Sequence, residues 1–156
     1  HDLRFPKGIL HEDEEFTPQL MLRAENLYFT NNKAYYYRKR EGSIMHKRDK
    51  RWHIRRLSDA EQVLYRLKER VDYLPVKERI AMERRIAQLT MDHIYNVITM
   101  THNETHLDHV LQRLSRHGLF PLPDKDYTSK YKWFRRMTNS NFGRKTLIML
   151  LRLNKG

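Results

Sequence analysis

Three features of the sequence predict a mainly α protein, a small body of three to four helices set between extended basic N-terminal and C-terminal segments. Apolar residues recur at intervals of three and four across 57–114, the repeat of a single helix face. Pro75 and Gly118 fall at the ends of those runs. The net charge of +12 is segregated: residues 1–32 carry −3, 33–56 carry +8, 57–129 carry −1 and 130–156 carry +8. With 156 residues there is material for one domain with a modest core. A hydrophobic fraction of 39% against 32% charged implies that some parts order only against a partner.

The N-terminal segment, 1–56, reads as extended chain with one helix. Pro6, Gly8 and the acidic run Glu12-Asp13-Glu14-Glu15 show no sustained period, and that run reads as solvated or paired with a basic neighbour. Thr17-Pro18 is a helix start, and Met21, Ala24 and Tyr28 form a stripe that predicts a helix over about 18–31. The period is lost over 33–56, a basic aromatic arm with strand character at its three consecutive tyrosines.

The body is expected over 57–122. Ser58-Asp59-Ala60-Glu61 matches a capping box, and Leu57, Ala60, Leu64, Leu67, Val71 and Leu74 follow on one face. Pro75 ends that helix and starts the next, predicted over 76–101 from Met82, Ile86, Leu89, His93, Val97 and Met100. Asn103 or Thr101 can cap a further helix carrying Leu107, Val110, Leu111 and Leu114, which Gly118 terminates in the left-handed conformation. Residues 123–156 read as a basic extension with a turn at Asn139-Ser140-Asn141 and a short terminal helix, Lys145 to Leu153.

Several chemistries are excluded by residue type and spacing. There is no cysteine, hence no disulfide or thiolate site, and no run approaches the ~20 apolar residues of a membrane span. The five glycines are never clustered, which rules out Walker and dinucleotide loops, and no serine sits in a Gly-x-Ser-x-Gly elbow. His102, His106 and His109 fall on one side of a helix with Asp108 nearby, but a zinc-protease helix requires His-Glu-x-x-His. Here Glu104 comes one position late, so these histidines read as polar or RNA-facing. No catalytic residue, metal, cofactor or small-molecule substrate is assigned.

Basic residues interleaved with aromatics imply a polyanionic partner, because cations neutralise phosphates while aromatic rings offer faces to unstacked bases. Nineteen arginines against twelve lysines favour RNA, through the planar guanidinium fork. In the arm the candidates are Tyr35, Tyr36, Tyr37, Arg38, Lys39, Arg40, Lys47 and Arg48, followed by Lys50, Arg51, Trp52, Arg55 and Arg56. In the C-terminal segment they are Lys130, Lys132, Trp133, Arg135, Arg136, Arg144 and Lys145. The apolar run Leu147–Leu153 can pack on the body, dock on a neighbouring subunit or lie in a membrane surface, in that order of preference.

Small size, abundant arginine, absent cysteine and basic aromatic extensions on a helical body together resemble a ribosomal protein, particularly a mitochondrial one. Over 58–122, three consecutive helices with Arg84-Arg85 and the Leu107-x-x-Val110-Leu111-x-x-Leu114 pattern are similar to the fifteenth protein of the small ribosomal subunit. That family's cluster of histidine, lysine, aspartate and serine between helices has no counterpart around Tyr73–Arg79, so the class alone is carried forward. The resemblance implies a non-enzymatic structural component that contacts ribosomal RNA and neighbouring ribosomal proteins in the mitochondrial matrix. Its alternatives are an accessory subunit of a mitochondrial membrane complex and an RNA-processing or assembly factor. The first residue, His1, is consistent with a removed targeting peptide or with a truncation.

Overall fold

The protein is mainly α. The computed structural model describes residues 3–36, Arg38 and 49–153, and these hold six helices: α1 Glu12–Arg23, α2 Lys50–Val71, α3 Val76–Thr101, α4 Glu104–Arg116, α5 Ser129–Asn139 and α6 Asn141–Leu153. No strand occurs among the described residues, so the expected strand character at Tyr35 and Tyr36 is not realised. Six helices stand where a body of three to four was expected; one helix was expected in each flanking segment, and α5 is the one not anticipated there.

At the centre lies α3, which packs against all five other helices. Its 26 residues span about 39 Å. Met82, Ile86, Leu89, Val97 and Ile98 are buried, and so are Ala87, Met91 and Ile94 on neighbouring faces. A helix apolar over most of its circumference is one surrounded by partners. Its bounds match the sequence expectation, since Pro75 lacks the N–H that would continue α2 and fits the position before a helix start.

The helix expected over 18–31 lies earlier, at Glu12–Arg23, with Pro18 inside it. Four acids in the first turn complement the positive end of the helix dipole, which outweighs the Thr17-Pro18 start signal. Glu15 and Gln19, one turn apart, are buried against α2. Glu15 meets Arg66 at 2.8 Å and Arg70 at 3.5 Å, and the Gln19 amide oxygen accepts from Arg70 at 2.6 Å. Upstream, Leu10 N–H donates to Asp59 at 2.9 Å and Arg55 donates to the Gly8 carbonyl at 2.7 Å. Increasing numbers in the N-terminal segment thus meet increasing numbers in α2, so α1 and α2 run parallel. The acidic run is partly paired with basic neighbours, as expected.

A second correction concerns the start of α2. Ser58-Asp59-Ala60-Glu61 is interior helix, which begins eight residues earlier, where the Asp49 carboxylate accepts from Arg51 N–H at 3.3 Å. Two pairs one turn apart hold the first turns: Arg56 lies over the Trp52 ring at 5.4 Å, and Arg55 faces Asp59 at 3.5 Å. Residues 50–56 are therefore part of the helical body and not of an extended arm.

The C-terminal segment is likewise body. α5 and α6 form a helical hairpin laid on α3, burying Phe134, Thr138, Leu147 and Ile148. α5 was not expected, although Tyr127, Tyr131, Phe134 and Thr138 stand at helical spacing, because the basic and aromatic residues among them suggested a nucleic-acid arm. The Asn139 amide clips the preceding loop, accepting from Leu122 N–H and donating to the Leu122 carbonyl, both at 2.9 Å. The expected turn at Asn139-Ser140-Asn141 is where the two helices meet, α6 beginning at Asn141 and not at Lys145.

Asn103 is the cap of α4, its side chain accepting from His106 N–H at 2.9 Å, and Gly118 adopts φ +66° beyond the helix end. Asn103→Ala should lower stability by about 1 kcal/mol. A thermal melt should register this as a midpoint drop of roughly 2–4 °C; an unchanged midpoint would show the cap to be idle.

Candidate nucleic-acid interface

The two groups of candidate residues fall in different structural settings. After α1 the chain has no regular structure over 24–36, and its aromatics face solvent: Tyr28 is 90%, Phe29 99%, Tyr35 82% and Tyr36 89% exposed. Arg38 is also exposed. Tyr37, Lys39, Arg40, Lys47 and Arg48 lie outside the described residues. Lys50 and Arg51, on the first turn of α2, are exposed and pair with no acid among the described residues. Trp52 and Arg56 are half-buried against each other, and Arg55 is tied to Gly8 and Asp59.

In the C-terminal group most cations already have a use inside the protein. Arg135 pairs with Asp124 at 2.9 Å, Lys132 with Asp126 at 3.5 Å and Lys145 with Glu104 at 3.7 Å. Arg144 donates to the Thr138 carbonyl at 2.9 Å and also to the Asn141 side chain, bracing the hairpin. Lys130 and Arg136 remain exposed, and Trp133, half-exposed, lines an apolar groove of about 390 Å³ with Tyr95, Phe134, Leu147 and Leu150. Of the terminal apolar run, Leu147 and Ile148 are buried in the core while Met149 and Leu150 face outward. No helix among the described residues is long and apolar enough to cross a membrane.

A second feature is a cleft of about 870 Å³ between α2, α3 and α4. Within it Glu61, 6% exposed, accepts from two of the Arg113 guanidinium nitrogens, Nε and Nη2, at 2.7 and 2.9 Å, and from the Tyr65 hydroxyl. Burial by itself would raise the Glu61 carboxyl. The donors from Arg113 and Tyr65 and the adjacent His93 outweigh it, holding the group far below the usual carboxylate range. Tyr65 is pushed well above an ordinary phenol by burial and by the Glu61 carboxylate that it faces. It also stacks on His117, ring centroids 3.7 Å apart.

His93, its side chain 2% exposed, places Nε2 3.6 Å from Glu61, beyond hydrogen-bond reach, and neither ring nitrogen has a hydrogen-bond partner. At the mouth stand Lys50, His53 and His106. The one sign of this network in the sequence is a pair of polar residues, Glu61 and His93, lying within apolar stripes.

Comparison with known protein families, characterised proteins and solved structures returns no match. His106 and His109 project from α4 to solvent, while His102 precedes that helix at φ +47°. No group of three or more His, Asp or Glu side chains among the described residues could hold a metal ion.

Proposed function

We propose that this chain is a non-enzymatic RNA-binding protein, a structural component of a ribosome of the mitochondrial type. The observation that carries this reading is the segment between α1 and α2. It couples a run of strongly exposed aromatics, Tyr28, Phe29, Tyr35 and Tyr36, to the densest basic stretch of the chain. Large rings held in water are unfavourable unless they meet a partner, and stacking on unpaired bases is the contact that neighbouring arginines would reinforce. The helical body acts as the platform. The exposed Met149, Leu150 and Trp133 offer an apolar surface to a neighbouring ribosomal protein. That same surface is what supports the second reading, an accessory subunit of a membrane complex, whereas a transient assembly factor would use the basic segment alone.

Fluorescence anisotropy with a structured RNA carrying single-stranded loops, repeated across salt concentrations, tests the reading. Each neutralised phosphate contributes about −0.7 to −0.9 to the log–log slope. Reversing Arg38, Arg40, Arg48 and Arg51 to glutamate should flatten that slope by about 3. Arg55 and Arg56 are left intact because they brace the start of α2. An unaltered slope would remove this segment from the interface. Sedimenting native extract with and without ribonuclease separates the two assemblies: comigration with ribosomal subunits supports the first reading, and ribonuclease-resistant comigration with a membrane complex supports the second.

A further inference from the structure

We infer that the cleft between α2, α3 and α4 receives one unpaired nucleotide of the bound RNA, an inference that rests on the RNA-binding reading above. The cleft is built for a ligand in three respects. Its volume, about 870 Å³, lies within the roughly 300–1,000 Å³ of small-molecule sites. Its lining divides chemically, with Ile54 and Met100 giving aliphatic surface for a planar base, and Ser58, Gln62 and Thr101 giving hydrogen-bonding groups. Most telling is His93, almost wholly buried: its Nδ1 has no hydrogen-bond partner, and its Nε2 has only the Glu61 carboxylate at 3.6 Å, beyond hydrogen-bond reach. A base edge or ribose hydroxyl entering the cleft would supply what they lack.

Charge selects the kind of ligand. Among the described residues Glu61 is the one carboxylate lining the cleft, and Arg113 already engages both of its oxygens. Lys50 is left as an uncompensated cation at the mouth, with His53 and His106 beside it, which favours a phosphate there. In the sequence Lys47-Arg48 come shortly before Lys50, so the basic segment that would hold RNA is covalently close to the cleft's edge. Single-stranded RNA is recognised in this manner, by splaying a base from the strand into an apolar slot.

The test uses the full chain, isotope-labelled at histidine and methionine. It is titrated in turn with uridine 5′-monophosphate, adenosine 5′-monophosphate, inorganic phosphate and a short single-stranded RNA. Saturable shifts of the His93 and Met100 signals are expected with either nucleotide up to about 10 mM and at far lower concentration with the RNA. Inorganic phosphate should leave both signals in place. Ser58→Trp, a substitution at an exposed rim position, should fill the slot. It should then weaken RNA binding about fivefold or more without changing the salt slope.

Steep, salt-dependent RNA binding with His93 and Met100 unmoved would overturn the cleft inference and leave the proposed function standing. Equal shifts with phosphate alone would reduce the site to a plain anion pocket and overturn it as well. Nucleotide binding without any RNA binding would overturn the RNA-chain part of the inference together with the functional reading.

Discussion

Glu61→Ala is expected to destabilise the protein by about 3 kcal/mol, the cost of removing one partner from a buried, hydrogen-bonded ion pair. Three groups lose their acceptor or counter-charge together: Arg113 on α4, Tyr65 on α2 and, at 3.6 Å, His93 on α3. Arg113 is partly solvated and recovers some of the loss in water, which keeps the estimate at the lower end. For a chain of this length the thermal midpoint should fall by roughly 6–12 °C.

The same site predicts a pH signature. Because the folded carboxyl titrates below its unfolded value of about 4.3, its stabilising contribution is complete above that pH and is lost as the pH falls further. Urea midpoints of wild type and Glu61→Gln should therefore differ most at neutral pH and begin to approach one another only below about pH 4. A constant difference would mean that the carboxylate charge contributes nothing.

Gly143→Val should cost about 3 kcal/mol or more, through a clash that no side-chain rotation relieves. A Cβ on Gly143 would come within 2.7 Å of the Met137 Cα and 2.8 Å of its carbonyl carbon, both backbone atoms of the adjoining helix. α5 and α6 would have to separate, lifting Phe134 and Leu147 from α3. In a Trp52→Phe background the opening is visible directly, since Trp133 lines the groove beneath the hairpin and its emission should shift to the red. An unshifted spectrum with an unchanged melting temperature would show that the hairpin tolerates a wider crossing.

What could be read from sequence was governed by how local the decisive interactions are. α3 and α4 were legible because Pro75, Asn103 and Gly118 act through their own backbone geometry, and the apolar stripes between them face a core present in any packing of these helices. α1 and the start of α2 were misplaced because two local signals, Thr17-Pro18 and Ser58 to Glu61, lost to other local signals, the first-turn acids of α1 and the Asp49 cap, joined by contacts made at a distance. Glu15 finds Arg66 fifty-one positions away, and Glu61 finds Arg113 at a separation of fifty-two. The interface divided in the same way. Tyr35, Tyr36 and Lys50 are exposed, whereas Arg135 and Arg144 are occupied by Asp124 and Thr138, partners that spacing does not announce. The cleft was invisible because its walls come from three helices.

The parallel course of α1 and α2 alters what the basic segment can do. Arg23 closes α1 beside the later turns of α2, where Gln19 meets Arg70, while Asp49 opens α2 at its far end. Stretch 24–49 is thus tethered at both ends, to points about 30 Å apart along one helix. With a contour of about 86 Å for its roughly 26 residues, it can project no further than roughly 40 Å from the body. If the proposed RNA partner is bound, this stretch would meet it as a connection fixed at both ends and not as a loose end. Closure would also trim the conformational freedom that binding must remove, so a given number of phosphate contacts would yield tighter binding than the same residues on a free terminus.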